Sequence, residues 1–99
     1  MRVLVIGGSG LISTGITRQL LARGDEVWWY NRGRSASELA SRVHLIQGDR
    51  TDAARFEEQV SDAGPWDCVI DMICYRPEEA ASAVRALEGC TAHYVFCST

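Results

Sequence analysis

Five short apolar runs, rich in β-branched and aromatic residues, alternate with longer segments of helical periodicity along this 99-residue sequence. Such alternation is typical of repeated βα units, whose strands lie parallel in one sheet with helices on its faces. The predicted strands are Val3–Ile6, Val27–Tyr30, Val43–Gln47, Asp67–Ile73 and Thr91–Cys97. The sequence therefore predicts a single α/β domain with a doubly wound parallel sheet.

A helix is predicted in each of the four intervening segments, which carry capping or stop signals such as Gly24, Pro77 and Gly89. These helices cover residues 12–23, 35–41, 52–62 and 77–88. In the last of them, one apolar face is predicted from Ala80, Ala81, Val84 and Leu87. We expect that face to pack on the sheet.

A glycine cluster, Gly7-Gly8-Ser9-Gly10, lies between the first strand and the first helix. Glycine permits a tight turn and lets backbone amides approach a pyrophosphate, which then meets the positive end of the helix dipole. An ordinary strand-to-helix turn is the alternative, but turn geometry alone does not require three glycines in four residues. The turn therefore predicts a dinucleotide site with contacts from Gly7, Ser9, Gly10, Leu11 and Ile12.

The spacing of Gly7, Gly10 and Ser13 resembles the GxxGxxG pattern of short-chain dehydrogenases/reductases, and particularly of their extended epimerase/dehydratase branch. Serine in the third place departs from that pattern, so we expect a slightly displaced helix. The resemblance implies a Rossmann-like sheet of strand order 3-2-1-4-5, with the cofactor at the switch point between strands 1 and 3. Because the sequence ends on a strand, we expect residues 1–99 to be an N-terminal dinucleotide-binding portion, truncated before the substrate domain.

The end of the second strand, Asn31-Arg32-Gly33-Arg34, indicates which dinucleotide binds. An acid near this position binds the 2′-hydroxyl of NAD and repels a 2′-phosphate. Asn31 lacks that charge, and Arg32 supplies a planar fork suited to phosphate. We therefore predict NADP, with contacts from Asn31 and Arg32. NAD is the alternative, in which case Arg32 is a solvated loop charge.

Two further strand ends complete the expected adenosine site. The family that the chain resembles uses an aspartate after the third strand to bind the adenine amino group, which implies Asp49 with its neighbour Arg50. Capping of the next helix is the other role open to Asp49. The family also lines the adenosine ribose with residues after the fourth strand, here Met72, Ile73 and Cys74. Asp71, at a buried strand end, requires a partner that the sequence does not identify.

The last residues resemble the fifth strand of the same branch, where a terminal Ser or Thr orients the substrate carbonyl beside a YxxxK pair. The resemblance assigns the catalytic hydroxyl to Thr99, although Ser98 and Thr99 are equally compatible with a plain strand end. All 10 basic residues are arginine, so a YxxxK pair cannot be completed within this sequence. We expect these residues alone to be inactive. The full-length protein is expected to be an NAD(P)-dependent epimerase/dehydratase or reductase acting on a nucleotide sugar or similar hydroxyl compound.

Three segments, at residues 31–33, 43–52 and 66–71, are also similar to a subgroup that includes chloroplast stem-loop RNA-binding proteins. Some members of that subgroup are thought to have exchanged sugar-nucleotide chemistry for RNA binding. A non-catalytic protein that binds RNA or senses NADP is therefore the alternative function. The net charge of −3 disfavours a nucleic-acid partner.

The sequence contains no apolar run near the roughly 18 to 20 residues of a membrane span, so we expect a soluble, cytoplasmic protein. His44 and His93 have no carboxylate or cysteine at metal-ligand spacing, and no metal site is predicted. The four cysteines show no CxxC spacing and are expected to be buried, reduced thiols. A homodimer of the full-length protein is compatible with this interpretation.

Overall fold

A computed structural model of the chain describes residues 1–7, 11–32, 41–72, 76–89 and 91–96. Within these ranges, five strands and three helices follow one another. They are β1 (Arg2–Ile6), α1 (Leu11–Ala22), β2 (Glu26–Asn31), β3 (His44–Gln47), α2 (Ala53–Ala63), β4 (Trp66–Asp71), α3 (Pro77–Leu87) and β5 (Thr91–Phe96). The predicted helix over residues 35–41 lies almost entirely outside the described residues.

All strand pairs are parallel, and the strands are arranged in the order β3-β2-β1-β4-β5. The predicted doubly wound sheet and its strand order are therefore confirmed. The predicted switch point between strands 1 and 3 is wrong, because β1 lies between β2 and β4 and β3 lies at an edge. The chain winds outward from β1 to β3 and then returns to place β4 on the other side of β1. The switch point consequently lies between β1 and β4.

Side chains of the central strands alternate between two apolar clusters, one on each face of the sheet. On the first face, Tyr30 packs with Phe56 of α2 and with residues of α3. On the opposite face, Trp29 packs with Leu20 of α1. Helices therefore cover both faces, and the strand ends are left at the rim of the sheet.

The buried face of α3 differs from the prediction. Val84, predicted to share an apolar face with Ala80, Ala81 and Leu87, is 60% exposed, and Ala81 is also exposed. The buried residues of α3 are Glu79, Ser82, Ala83, Ala86 and Leu87. On this face Ala83, Ala86 and Leu87 pack into the apolar cluster that contains Tyr30 and Phe56, and the Ser82 hydroxyl donates to Glu57 Oε2 of α2 at 3.1 Å.

Most element ends agree with the sequence prediction to within one or two residues. Gly24 and Gly89, which follow α1 and α3, have positive φ values of 86° and 75°, as helix-terminating glycines commonly do. β4 ends at Asp71 and does not extend to Ile73 as predicted. Among the described residues, no helix combines the length and apolar character needed to cross a membrane.

Candidate functional site

The carboxyl ends of the parallel strands lie side by side at one edge of the sheet. Ile6 of β1 pairs with Tyr30 of β2 and with Asp71 of β4, while Asn31 of β2 pairs with Gln47 of β3. The segments after these strands therefore begin near one another. Six of the predicted contact residues follow or end these strands: Gly7, Asn31, Arg32, Asp49, Arg50 and Met72.

Gly7 follows β1 with a φ of 84°, a conformation that strains residues with a side chain. Its amide donates to the carbonyl oxygen of Tyr30 at 2.7 Å, and α1 begins four residues later at Leu11. Leu11 and Ile12 form the start of that helix. Ser9 and Gly10 lie outside the described residues. A positive-φ glycine after a strand and a helix N-terminus a few residues later suit the binding of a pyrophosphate.

Arg32 and Asp49 lie next to each other beyond the ends of β2 and β3. Arg32 Nη2 is 3.5 Å from Asp49 Oδ2, and the two side chains are 67% and 46% exposed. The backbone beneath them is fixed, because the Gly48 amide donates to the Asn31 carbonyl at 2.8 Å. Asn31 itself is buried. The two side chains predicted to bind the adenosine end are thus brought together, with the guanidinium open to solvent.

Asp49 organises the turn that follows β3. Its Oδ1 accepts hydrogen bonds from the amide of Thr51 at 2.9 Å and from the Thr51 hydroxyl at 2.7 Å. These bonds, with a smaller contribution from Arg32, hold the pKa of Asp49 below its usual range. The N-cap of α2 is Asp52, whose Oδ1 accepts from the Arg55 amide at 3.4 Å. Asp49 is therefore a carboxylate that shapes the turn, and the helix-capping alternative is wrong.

Arg50, predicted as a cofactor contact beside Asp49, is buried. Its Nη1 donates to both carboxylate oxygens of Asp71, and its Nη2 donates to the Glu79 carbonyl at 2.9 Å. The Tyr94 hydroxyl donates to Asp71 Oδ2 at 2.6 Å. The partners that Asp71 requires are therefore Arg50 and Tyr94. A direct contact between Arg50 and the cofactor stays a prediction.

The remaining predicted residues follow β4 or end the chain. The Met72 amide donates to the Ile6 carbonyl at 3.0 Å, which ties the start of the predicted ribose-lining stretch to β1. Ile73, Cys74 and Thr99 lie outside the described residues. Cys68, on β4, is a half-buried free thiol whose pKa is raised by burial.

Because Gly48 has no side chain, the side chains of Tyr30 and Gln59 have room to meet beneath the turn that Asp49 organises. The Tyr30 hydroxyl donates to Gln59 Oε1 at 2.9 Å, and Gln59 Nε2 donates to the Gln47 carbonyl at 2.9 Å. A Cβ atom at Gly48 would overlap both the Tyr30 Oη and the Gln59 Oε1. Burial raises the pKa of Tyr30 to about 12, so the phenol remains a donor at neutral pH.

Replacing Gly48 with alanine should lower the free energy of unfolding by about 1–3 kcal/mol, because the added methyl group displaces the Tyr30–Gln59 hydrogen bond. Urea denaturation measures the change. Gly15→Ala is the matched control: Gly15 lies in α1, and a Cβ there meets nothing within 4 Å. The control should be stabilised by about 0.5–1 kcal/mol through helix propensity. If Gly48→Ala and the parent protein have equal free energies of unfolding, the neighbouring side chains move aside at no cost and the prediction is wrong.

Residues 3–94 match the family described as "NAD dependent epimerase/dehydratase family". The chain belongs to this family, which the spacing of Gly7, Gly10 and Ser13 had indicated. The family binds NAD or NADP. The resemblance stated from the sequence is thereby confirmed at the level of the family.

Two curated relatives match most of the chain. It is 36% identical over 89 residues, 90% of its length, to 2′-dehydrokanamycin reductase of Streptomyces kanamyceticus. It is 25% identical over 111 aligned residues, covering 99% of its length, to the chloroplast stem-loop binding protein of 41 kDa b of Arabidopsis thaliana. The chain spans only 25% and 29% of the length of these relatives.

Solved structures confirm the Rossmann-like fold. Yeast methylglyoxal/isovaleraldehyde reductase complexed with NADPH superposes with a TM-score of 0.76 at 18% identity, over all of this chain and 38% of that one. The Bordetella bronchiseptica enzyme WbmH in complex with NAD+ superposes with a TM-score of 0.64 at 19% identity, over 86% of this chain and 34% of that one. At these identities the likeness concerns the fold alone.

Proposed function

We propose that this chain binds NADP and forms the cofactor-binding portion of a reductase or epimerase/dehydratase-like oxidoreductase. The observation that carries the choice of NADP is the exposed guanidinium of Arg32 beside the ends of β2 and β3. A 2′-phosphate at this position gains charge-assisted hydrogen bonds, and the neighbouring Asn31 brings no charge that repels it.

The described residues fit a dinucleotide that crosses the carboxyl edge of the sheet. The Gly7 turn and the N-terminus of α1 hold the pyrophosphate, and Arg32 binds the 2′-phosphate. Asp49 accepts from the adenine amino group, and the stretch that begins at Met72 lines the ribose. When bound, the dinucleotide supplies a hydride donor or acceptor. The residues of this chain bind and orient it.

The substrate is proposed to be a nucleotide sugar or a similar hydroxyl compound, which is contacted by segments outside this chain. The relative from Streptomyces kanamyceticus is named as a reductase, which supports the conversion of a carbonyl group to a hydroxyl group. Thr99 remains the proposed hydroxyl that orients the substrate carbonyl. Residues 1–99 then act as the dinucleotide-binding part of a longer protein.

Replacing Arg32 with alanine should weaken NADPH binding by about tenfold and leave NADH binding nearly unchanged, because only the charged hydrogen bond to the 2′-phosphate is lost. Titration of each reduced nucleotide into the parent and variant proteins, followed by nucleotide fluorescence, measures both dissociation constants. The parent protein should bind NADPH more tightly than NADH.

Arg23→Ala is the matched control for this titration. Arg23 is 63% exposed and lies 3.6 Å from Asp25, so it resembles Arg32 in its exposure and in having an acidic partner. It follows α1 and therefore lies near the amino ends of the strands, away from the proposed site. Both dissociation constants should remain unchanged in this variant. Equal affinities for NADPH and NADH in the parent and Arg32→Ala proteins would disprove the 2′-phosphate assignment.

A non-catalytic RNA-binding role is the second candidate, and the similarity to the chloroplast stem-loop binding protein favours it. The net charge of −3 acts against it, because RNA affinity depends largely on cationic contacts with phosphate. A filter-binding assay with a stem-loop RNA at physiological salt separates the two candidates. Submicromolar binding of RNA without binding of either dinucleotide would support the second candidate.

A further inference from the structure

The Asp49 carboxylate lies beside the Arg32 guanidinium, which is the group proposed to bind the 2′-phosphate. This inference rests on the proposed function, since it concerns selectivity at the same site. Asp49 Oδ2 lies 3.5 Å from Arg32 Nη2, while Asp49 Oδ1 is held by two hydrogen bonds from Thr51. The Thr51 bonds therefore hold the Asp49 carboxylate in the turn, with its charge beside Arg32.

Two opposing effects of Asp49 on a bound phosphate can be compared. The ion pair orients the Arg32 side chain before binding, but an exposed pair of this kind contributes little. A phosphate monoester carries about 1.5 to 2 negative charges near pH 7, so it is repelled by a carboxylate on the same guanidinium. Repulsion acts on the full charge of the ligand and is the larger effect.

We propose that Asp49 determines dinucleotide selectivity by limiting the advantage that Arg32 gives to a 2′-phosphate. The carboxylate permits NADP to bind but reduces its preference over NAD. A 2′-hydroxyl carries no charge, so NAD is spared this repulsion. The ratio of the two affinities is thus set by the Arg32–Asp49 pair and not by Arg32 alone.

The same selectivity ratio separates this effect from the predicted contact between Asp49 and adenine. Both dinucleotides carry the same adenine, so a lost adenine contact weakens both equally and leaves the ratio unchanged. A lost repulsion changes NADPH binding alone. The ratio of the NADH to the NADPH dissociation constant is therefore the quantity to measure.

Asp49→Asn should raise that ratio about three- to tenfold above the parent value, because it removes one negative charge beside the exposed guanidinium that is proposed to bind the 2′-phosphate. Asparagine keeps a carbonyl oxygen that accepts from Thr51, so the turn is retained. The increase should shrink as the salt concentration rises. Asp62→Asn is the matched control, because Asp62 is an exposed acid in the last turn of α2, whereas Asp49 precedes the first turn of that helix. It should leave the ratio unchanged.

The outcomes distinguish this inference from the proposed function. If Arg32→Ala abolishes the preference for NADPH but Asp49→Asn leaves the ratio unchanged or lowers it, the role of Asp49 is wrong and NADP binding stands. If Asp62→Asn raises the ratio as much as Asp49→Asn does, the effect reflects net charge and the inference is likewise wrong. If the parent protein binds neither dinucleotide, the proposed function fails, and this inference fails with it.

Discussion

Replacing Arg50 with methionine should lower the free energy of unfolding by about 3–5 kcal/mol, because Asp71 is left as an uncompensated charge in the protein interior. The two side chains are 2% and 0% exposed, so water cannot replace the guanidinium. The loss is a large share of the stability of an average domain, which is about 5–15 kcal/mol. Urea denaturation followed by circular dichroism measures it.

Two further variants make this prediction specific. The double replacement Arg50→Met with Asp71→Leu should recover much of the loss, since buried ion pairs are commonly replaceable by apolar residues of similar volume. Arg85→Met removes an arginine that is 58% exposed and pairs with Glu57 across α2 and α3. This control should shift the urea midpoint much less. If Arg50→Met and Arg85→Met unfold at the same urea concentration, the buried ion pair contributes no more to stability than the exposed one.

Trp29→Ala should also cost about 3–5 kcal/mol, because it opens a large cavity beneath α1. Trp29 is fully buried with Val5 and Leu20, and its Nε1 donates to Thr17 Oγ1 at 3.0 Å. The loss of this contact also loosens α1, whose N-terminus belongs to the proposed pyrophosphate site. Thermal and urea denaturation measure the stability, and nucleotide titration of the folded fraction measures the effect on the site.

Thr17→Val separates the hydrogen bond of Trp29 from its volume. The variant keeps the shape of the core but leaves the indole donor unsatisfied, so it should cost about 1–3 kcal/mol. Trp29→Phe, which retains much of the ring volume, should cost less than Trp29→Ala. If Thr17→Val is as damaging as Trp29→Ala, the hydrogen bond and not the cavity controls the position of α1.

Features that depend on local periodicity could be predicted from the sequence. The alternation of Trp28, Trp29 and Tyr30 between the two faces follows from strand geometry, and the parallel order of strands follows from the βα alternation. Gly7 was recognised as part of a glycine cluster between the first strand and the first helix, and its positive φ agrees with a glycine turn. The proximity of Arg32 and Asp49 is consistent with the same geometry, since both residues come after adjacent parallel strands.

Features that depend on contacts between distant segments could not be predicted. Arg50 and Asp71 follow or end β3 and β4, which are not neighbours in the sheet, so strand pairing gives no reason to join them. Ser82 of α3 donates to Glu57 of α2, and the backbone carbonyl of Glu79 accepts from Arg50, contacts that the apolar pattern of α3 does not reveal. The sequence showed only that Arg50 follows one strand and that Asp71 ends another. Only the tertiary arrangement connects them.

The strand order gives the two ends of the proposed site unequal resistance to local unfolding. Gly7 continues from β1, which is flanked by strands on both sides, whereas the Asp49 turn continues from β3 at the margin of the sheet. Amide hydrogens of β1 should therefore exchange with deuterium more slowly than those of β3. Transient fraying would therefore reach the proposed 2′-phosphate site, beside the Asp49 turn, before it reached the proposed pyrophosphate site at Gly7.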